Sequence, residues 1–199
     1  MNDFLKTEYE QCLSLIKYYD ERHHSLVKYA SGMSSAIPSL FMAIYQLGGN
    51  AVHYFWHFTL VISLVTTFGL LSIYTVLIQT RLYFIYPARQ VNSIRRHCLK
   101  ELEEEDFENQ MYLNTSFSAF KWRSSQTLLN LFVAAQSGAF AGFSSYSYLT
   151  LWGELKYIVS KSVGIGIIFT LFVFGASALY LHQSSKYHPD KSIHRERTD

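Results

Sequence analysis

Charge is missing from most of this chain. No Asp, Glu, Lys or Arg occurs from residue 29 through residue 80, a run of 52 residues broken midway by Gly48-Gly49-Asn50. Two more uncharged runs follow, 30 residues from 124 to 153 and 24 from 162 to 185. A soluble helix of that length needs a charged face, whereas a helix crossing a bilayer needs about 20 mostly apolar residues. No permanently charged side chain therefore lies inside the apolar runs, which argues against proton-coupled pumps, voltage sensors and salt-bridged substrate sites.

Cysteine is scarce. Cys12 and Cys98 have no CxxC or Cys/His ligand spacing, so neither a disulfide framework nor a thiolate metal site is indicated. His53 and His57 lie one helical turn apart around Trp56, but Glu154 is the only acid expected on that side, too little to complete a metal sphere. A nucleophile with a base, paired carboxylates, a glycine-rich phosphate loop, HExxH and the arginine–histidine spacing of HEPN-type ribonucleases are all lacking. The chain is therefore read as a non-enzyme without metal or cofactor. A net charge of +2, with both signs mixed in every charged block, gives no footprint for nucleic acid. The acidic start Met1-Asn2-Asp3-Phe4 precedes no short apolar stretch with a small-residue cleavage site, so the first span itself is expected to direct insertion.

The pattern of what is present predicts an all-α integral membrane protein with four transmembrane helices in two hairpins, near residues 29–47, 53–78, 126–148 and 157–181. Residues 1–28 read as a cytoplasmic helix continuous with the first span, and 29–80 as the first hairpin. Residues 81–123 read as a cytoplasmic extension and linker, 124–183 as the second hairpin, and 184–199 as a disordered tail. Fifteen of the 17 Lys and Arg fall in the blocks before, between and after the hairpins. The positive-inside rule then puts both termini in the cytoplasm of a multi-pass protein of the inner or plasma membrane. The halves repeat the same order of segments with poor residue identity, which leaves open a duplication or two unrelated hairpins.

The strongest periodicity steps 4, 3, 4, 3 through Leu5, Tyr9, Cys12, Ile16, Tyr19, His23 and Leu26, and continues through Ala30, Met33, Ile37, Leu40, Ile44 and Leu47. Such a seam predicts one long helix that keeps a single face against a partner from cytoplasm into membrane. Phe84, Ala88, Val91, Cys98 and Leu102 sit at helical spacing among Arg81, Arg89, Arg95, Arg96 and Lys100, which extends the second span into the same stalk. His23 and His24, beside Asp20, Glu21 and Arg22, are placed to titrate near neutral pH, although a solvated face is the plainer reading. Pro38 is the candidate hinge, because it removes a helical hydrogen bond near mid-span. The acidic run from Glu101 to Asp106 opposes the helix dipole and is expected to end the stalk.

Uncharged polar residues form two stripes: Ser31, Ser35 and Ser39 on the first span, and Asn130, Ser137 and Ser144 on the third. They read either as helix-packing positions, a role assigned to Ala134, Gly138 and Gly142, or as the wall of a pore built by several copies. The expected function is an oligomeric channel or membrane effector controlled by its stalk. The alternatives are a non-conducting, membrane-anchored interaction protein and a small transporter subunit. The partners implied are the lipid bilayer, further copies of the chain and a cytoplasmic protein at the stalk. In architecture only, the plan resembles small bacterial membrane effectors of the SLATT type, in which a helix precedes a two-span hairpin; the second hairpin departs from that pattern.

Overall fold

In the computed structural model, residues 3–46, 48, 54–102, 111, 113–153 and 156–186 are described, and helix is the only regular structure among them. The helices are α1 (Asp3–Gln46), α2 (Phe55–Leu102), α3 (Ser125–Trp152) and α4 (Ile158–Ser184). At 1.5 Å per residue, α1 and α2 are about 66 and 72 Å long, and α3 and α4 about 40 Å. The turn at Gly49-Asn50, His53, Glu154, the acidic run from residue 103 and the tail from residue 187 lie outside the described residues.

Gly48 takes φ +65° just beyond α1, a left-handed conformation that closes helices and suits glycine. Chain neighbours then pack antiparallel. Tyr45 meets Phe55 at 5.7 Å between ring centres, Tyr19 stacks on Tyr83 at 6.3 Å, and Arg95 Nη2 donates to Tyr9 Oη at 3.1 Å. Those three contacts pin α1 to α2 along their whole length. At the turn end, Trp56 and His57 of α2 meet Tyr146 and Trp152 of α3 at 5.3 and 5.8 Å. Tyr74 Oη of α2 reaches Ser177 Oγ of α4 at 2.6 Å, and among the described residues the backbones of α1 and α4 are not neighbours.

The contact between α3 and α4 depends on missing side chains. A Cβ on Gly138 would overlap Thr170 Oγ1, and one on Gly166 would come within 2.8 Å of Gly138 O. A Cβ on Gly142 would lie 3.0 Å from Ser162 O. Small residues four apart on both helices thus let the backbones meet, as in GxxxG pairs. Ala134, one turn before Gly138, is fully buried in the core with Val133 and Phe140.

Two helices, α2 and α4, are long and apolar enough to cross a membrane. The uncharged parts of α1 and α3 are diluted by Ser, Gly and amide residues. For α3 the physical reason is its position, flanked by α2 and α4, where small and hydroxylated side chains are buried by neighbours. Its Ser137 and Ser147 are fully buried.

Along the α1 seam, Cys12, His23 and Ala30 are buried. Leu5, Tyr9, Ile16, Tyr19, Leu26, Met33, Ile37 and Ile44 are half-buried, and Leu40 is exposed. Burial raises the pKa of the Cys12 thiol, with Glu8 beside it adding to the shift, so this cysteine stays protonated and inert. α1 runs through Pro38, which is exposed. The missing N–H of Pro38 removes the helical partner of the Ser34 carbonyl. The Ser34 hydroxyl is likewise buried without a partner.

Candidate functional site: a buried polar junction

The charged stripe of α2 is not the solvated face that its composition suggests. Arg81, Arg89 and Asn92 are buried, whereas Phe84, Ala88 and Cys98 are only half-buried. What covers the stripe is the irregular linker ahead of α3, whose backbone carbonyls need donors once they are withdrawn from water. Arg81 Nε donates to Ala119 O at 2.9 Å, and Arg89 Nη2 to Phe117 O at 2.6 Å. Asn92 Nδ2 donates to Asn114 O, and Arg96 Nη2 to Leu113 O, both at 2.7 Å. Positions 81, 89, 92 and 96 recur close to whole turns of one helix, so the linker runs antiparallel to α2 on a single track. Arg89 also donates to Ser185 O, and Ser185 Oγ accepts from the Ala119 N–H at 3.0 Å, which ties the end of α4 to the same linker.

At the head of this track, three helices share a polar cluster. Gln126 of α3 bridges two charges: its Oε1 accepts from Arg81 Nη1, and its Nε2 donates to Asp20 Oδ1 of α1 at 2.8 Å. One turn along α3, Asn130 Oδ1 lies 3.0 Å from His23 Nε2. Because a carbonyl oxygen only accepts, Nε2 carries the proton, and neutral His23 keeps its lone pair on Nδ1. That Nδ1 is buried with no partner, and His23 as a whole is 1 % exposed. His24, on the open side, lies 3.8 Å from Asp20 Oδ2.

Burial dominates the electrostatics. It lowers the pKa of His23 below the ordinary imidazole value, against the opposing bond from Asn130, with His24 and Arg81 adding to the shift. It also pushes the Arg81 guanidinium down to about 10, partly offset by Asp20. The cluster therefore holds one buried cation, one carboxylate linked to it through an amide, and one neutral imidazole. The cluster ties α1, α2, α3 and the linker together at the level where the uncharged runs begin.

The two polar stripes occupy different places. Asn130, Ser137 and Ser144 are buried within the chain; Ser137 Oγ donates to Val133 O at 3.2 Å and Ser144 Oγ to Phe140 O at 2.9 Å. Ser31 is half-buried, and Ser35 and Ser39 are exposed on α1. Within one chain the two stripes thus face no common space. At the turn end of α2, far from the junction, Thr59, Ser63, Thr66 and Thr67 are buried, a polar side that was missed altogether. Arg81, Arg89, Gln126 and Ser185 were also missed. Their one visible signal was an amide pair, Gln126 and Asn130, four apart at the start of an uncharged run.

The chain matches no family model, and no curated protein or solved structure shows significant similarity to it.

Proposed function

We propose that this protein is a multi-pass membrane effector. Its cytoplasmic stalk, formed by residues 3–28 of α1 and 81–102 of α2, passes its state to four membrane-embedded helices through the buried polar junction. The observation that carries the membrane reading is the bare surface of α4. Only 11 % of its apolar stretch is buried, against 39 % in α2, so it is not the core helix of a soluble protein. Ile167, Ile168, Leu171, Phe172 and Leu179 are all exposed. Apolar area left in water costs about 25 cal/mol per Å², so a surface of this extent calls for lipid or protein cover.

The dimensions agree. From Trp56 to Arg81 along α2 is about 38 Å, close to a bilayer with its interfaces. The aromatic cluster of Tyr45, Phe55, Trp56, Tyr146 and Trp152 supplies one interfacial belt, and exposed Tyr29, Tyr83, Tyr86 and Trp122 the other. With the basic blocks on the second side, both termini are cytoplasmic. Phe4, Leu15 and Tyr18, exposed on the stalk, are the positions for a cytoplasmic partner.

Effector action is supported by continuity, since α1 and α2 run unbroken from stalk to turn end. Conduction would require several copies to assemble around the exposed Ser35 and Ser39 edge of α1, because the α3 stripe is already enclosed. That enclosure is also the observation favouring the second reading, a non-conducting anchored interaction protein.

The deciding measurement is the protein mass of the particle in lipid nanodiscs, followed by ion flux from proteoliposomes. A discrete multimer that conducts supports the effector as a channel. A monomer without flux leaves the anchored interaction protein. Failure to insert into lipid would sink both.

A further inference from the structure

Between α3 and α4, on the side away from the core, runs an apolar groove of about 600 Å³. Its floor is small, formed by Ala135, Gly138, Ala139 and Gly142, and its flank on α4 runs from Val159 to Leu171. Those twelve steps span about 18 Å, close to the hydrocarbon thickness of one leaflet at half of about 30 Å.

The groove opens at the start of α4, and that start is electrically unfinished. Tyr157, ahead of the helix, sits at φ 61°, its own side chain makes no capping bond to the first turn, and no acid lies in that turn. The first bond of the helix runs from Lys161 N to Tyr157 O at 3.0 Å, so the N–H groups before it have no acceptor within the helix. A helix N-terminus carries roughly half a positive charge and favours anions. Here it is flanked instead by Lys156 and Lys161, both exposed, with Glu154 as the one acid in the loop. One step inward, Ser162 lines the groove; it is 4 % exposed, and its hydroxyl has no hydrogen-bond partner.

We infer that this groove binds an anionic phospholipid, its phosphate against the start of α4 between Lys156 and Lys161 and one acyl chain lying along the small floor of α3. Ser162, its unpartnered hydroxyl enclosed in the groove wall, sits at the depth of the glycerol esters. A transmembrane helix of a second copy is the poorer occupant, because the groove ends after one leaflet whereas a helix crosses two. The inference rests on the membrane reading but is independent of assembly and of conduction.

The test is native mass spectrometry of the full chain released from nanodiscs of equal phosphatidylglycerol and phosphatidylcholine. Wild type should retain one lipid with about a thirtyfold preference for phosphatidylglycerol, the scale expected for two lysines at a bilayer surface. Lys156→Gln with Lys161→Gln should abolish the preference while a lipid is still retained. Ala139→Leu, at an exposed groove position that leaves the glycine contacts intact, should abolish retention with helix content unchanged. Equal retention of both lipids by wild type would overturn the inference, as would an unaltered lipid adduct on Ala139→Leu. Efficient disulfide cross-linking between copies carrying Ala139→Cys would place a second chain in the groove and overturn it as well. A chain that never enters nanodiscs would instead sink the membrane reading itself.

Discussion

His23 on α1 and Asn130 on α3, 107 positions apart, share a buried 3.0 Å hydrogen bond that leaves the second imidazole nitrogen without a partner. This bond joins the stalk helix to the second hairpin, which otherwise meets α1 only over a short stretch.

Acid should loosen this joint. Burial holds the folded-state pKa of His23 below its ordinary 6.5, so the unfolded chain binds a proton that the folded chain refuses. Stability from neutral His23 is therefore complete above about pH 6.5 and is lost progressively as pH falls toward the lowered folded value. Thermal melts across pH 5 to 7.5 should show this loss in wild type and in His24→Gln, with a flatter profile in His23→Gln. Identical slopes in wild type and His23→Gln would refute the assignment.

Gln126→Leu should be costly out of proportion to its size. It leaves buried Arg81 without one acceptor, and an unsatisfied buried group costs about 1–3 kcal/mol, while half-exposed Asp20 loses a donor that water can replace. For a chain of this length that corresponds to a fall in Tm of roughly 2–4 °C per kcal/mol. Hydrogen exchange should rise at residues 113–121 as the linker loosens from α2. Unchanged protection there would mean that the junction does not hold the linker.

Glycines of one helix should respond oppositely. Gly166→Ala places a Cβ 2.8 Å from Gly138 O and must push α3 from α4, at about 1–3 kcal/mol. Gly164→Ala, two residues away, meets nothing within 4 Å and should be neutral or slightly stabilising. Melting temperatures in detergent decide the matter, and equal losses for both would rule out the close approach.

Serines on the two stripes should separate by mechanism. Leu at Ser35 or Ser39 meets open surface, so it should leave folding intact and, if α1 lines a pore, abolish ion flux at constant particle mass. Leu at Ser137, which is fully buried, should overpack the core and lower Tm. Flux surviving at full rate in both α1 variants would remove α1 as a pore wall.

On α1 a 4, 3 spacing leaves little freedom over which side of a helix is apolar; Cys12, His23 and Ala30 on that side are buried, and most of the others are half-buried. The polar stripes were readable as stripes but not as places. Hydroxyls at helical spacing suit a packed interior and a wet wall equally, and their spacing names no neighbour.

By itself, the sequence determined the all-helical class, the long uncharged runs and the seam, since periodicity and the absence of charge are local properties of the chain. Only the tertiary structure decided that Arg81 and Arg89 are buried clamps, that Gln126 joins a cation to Asp20, and that Asn130, Ser137 and Ser144 face inward while Ser35 and Ser39 face out. The reason is physical. A guanidinium on a helix reads as solvated until distant backbone carbonyls are brought over it, and those carbonyls, common to every residue, leave no mark in the sequence.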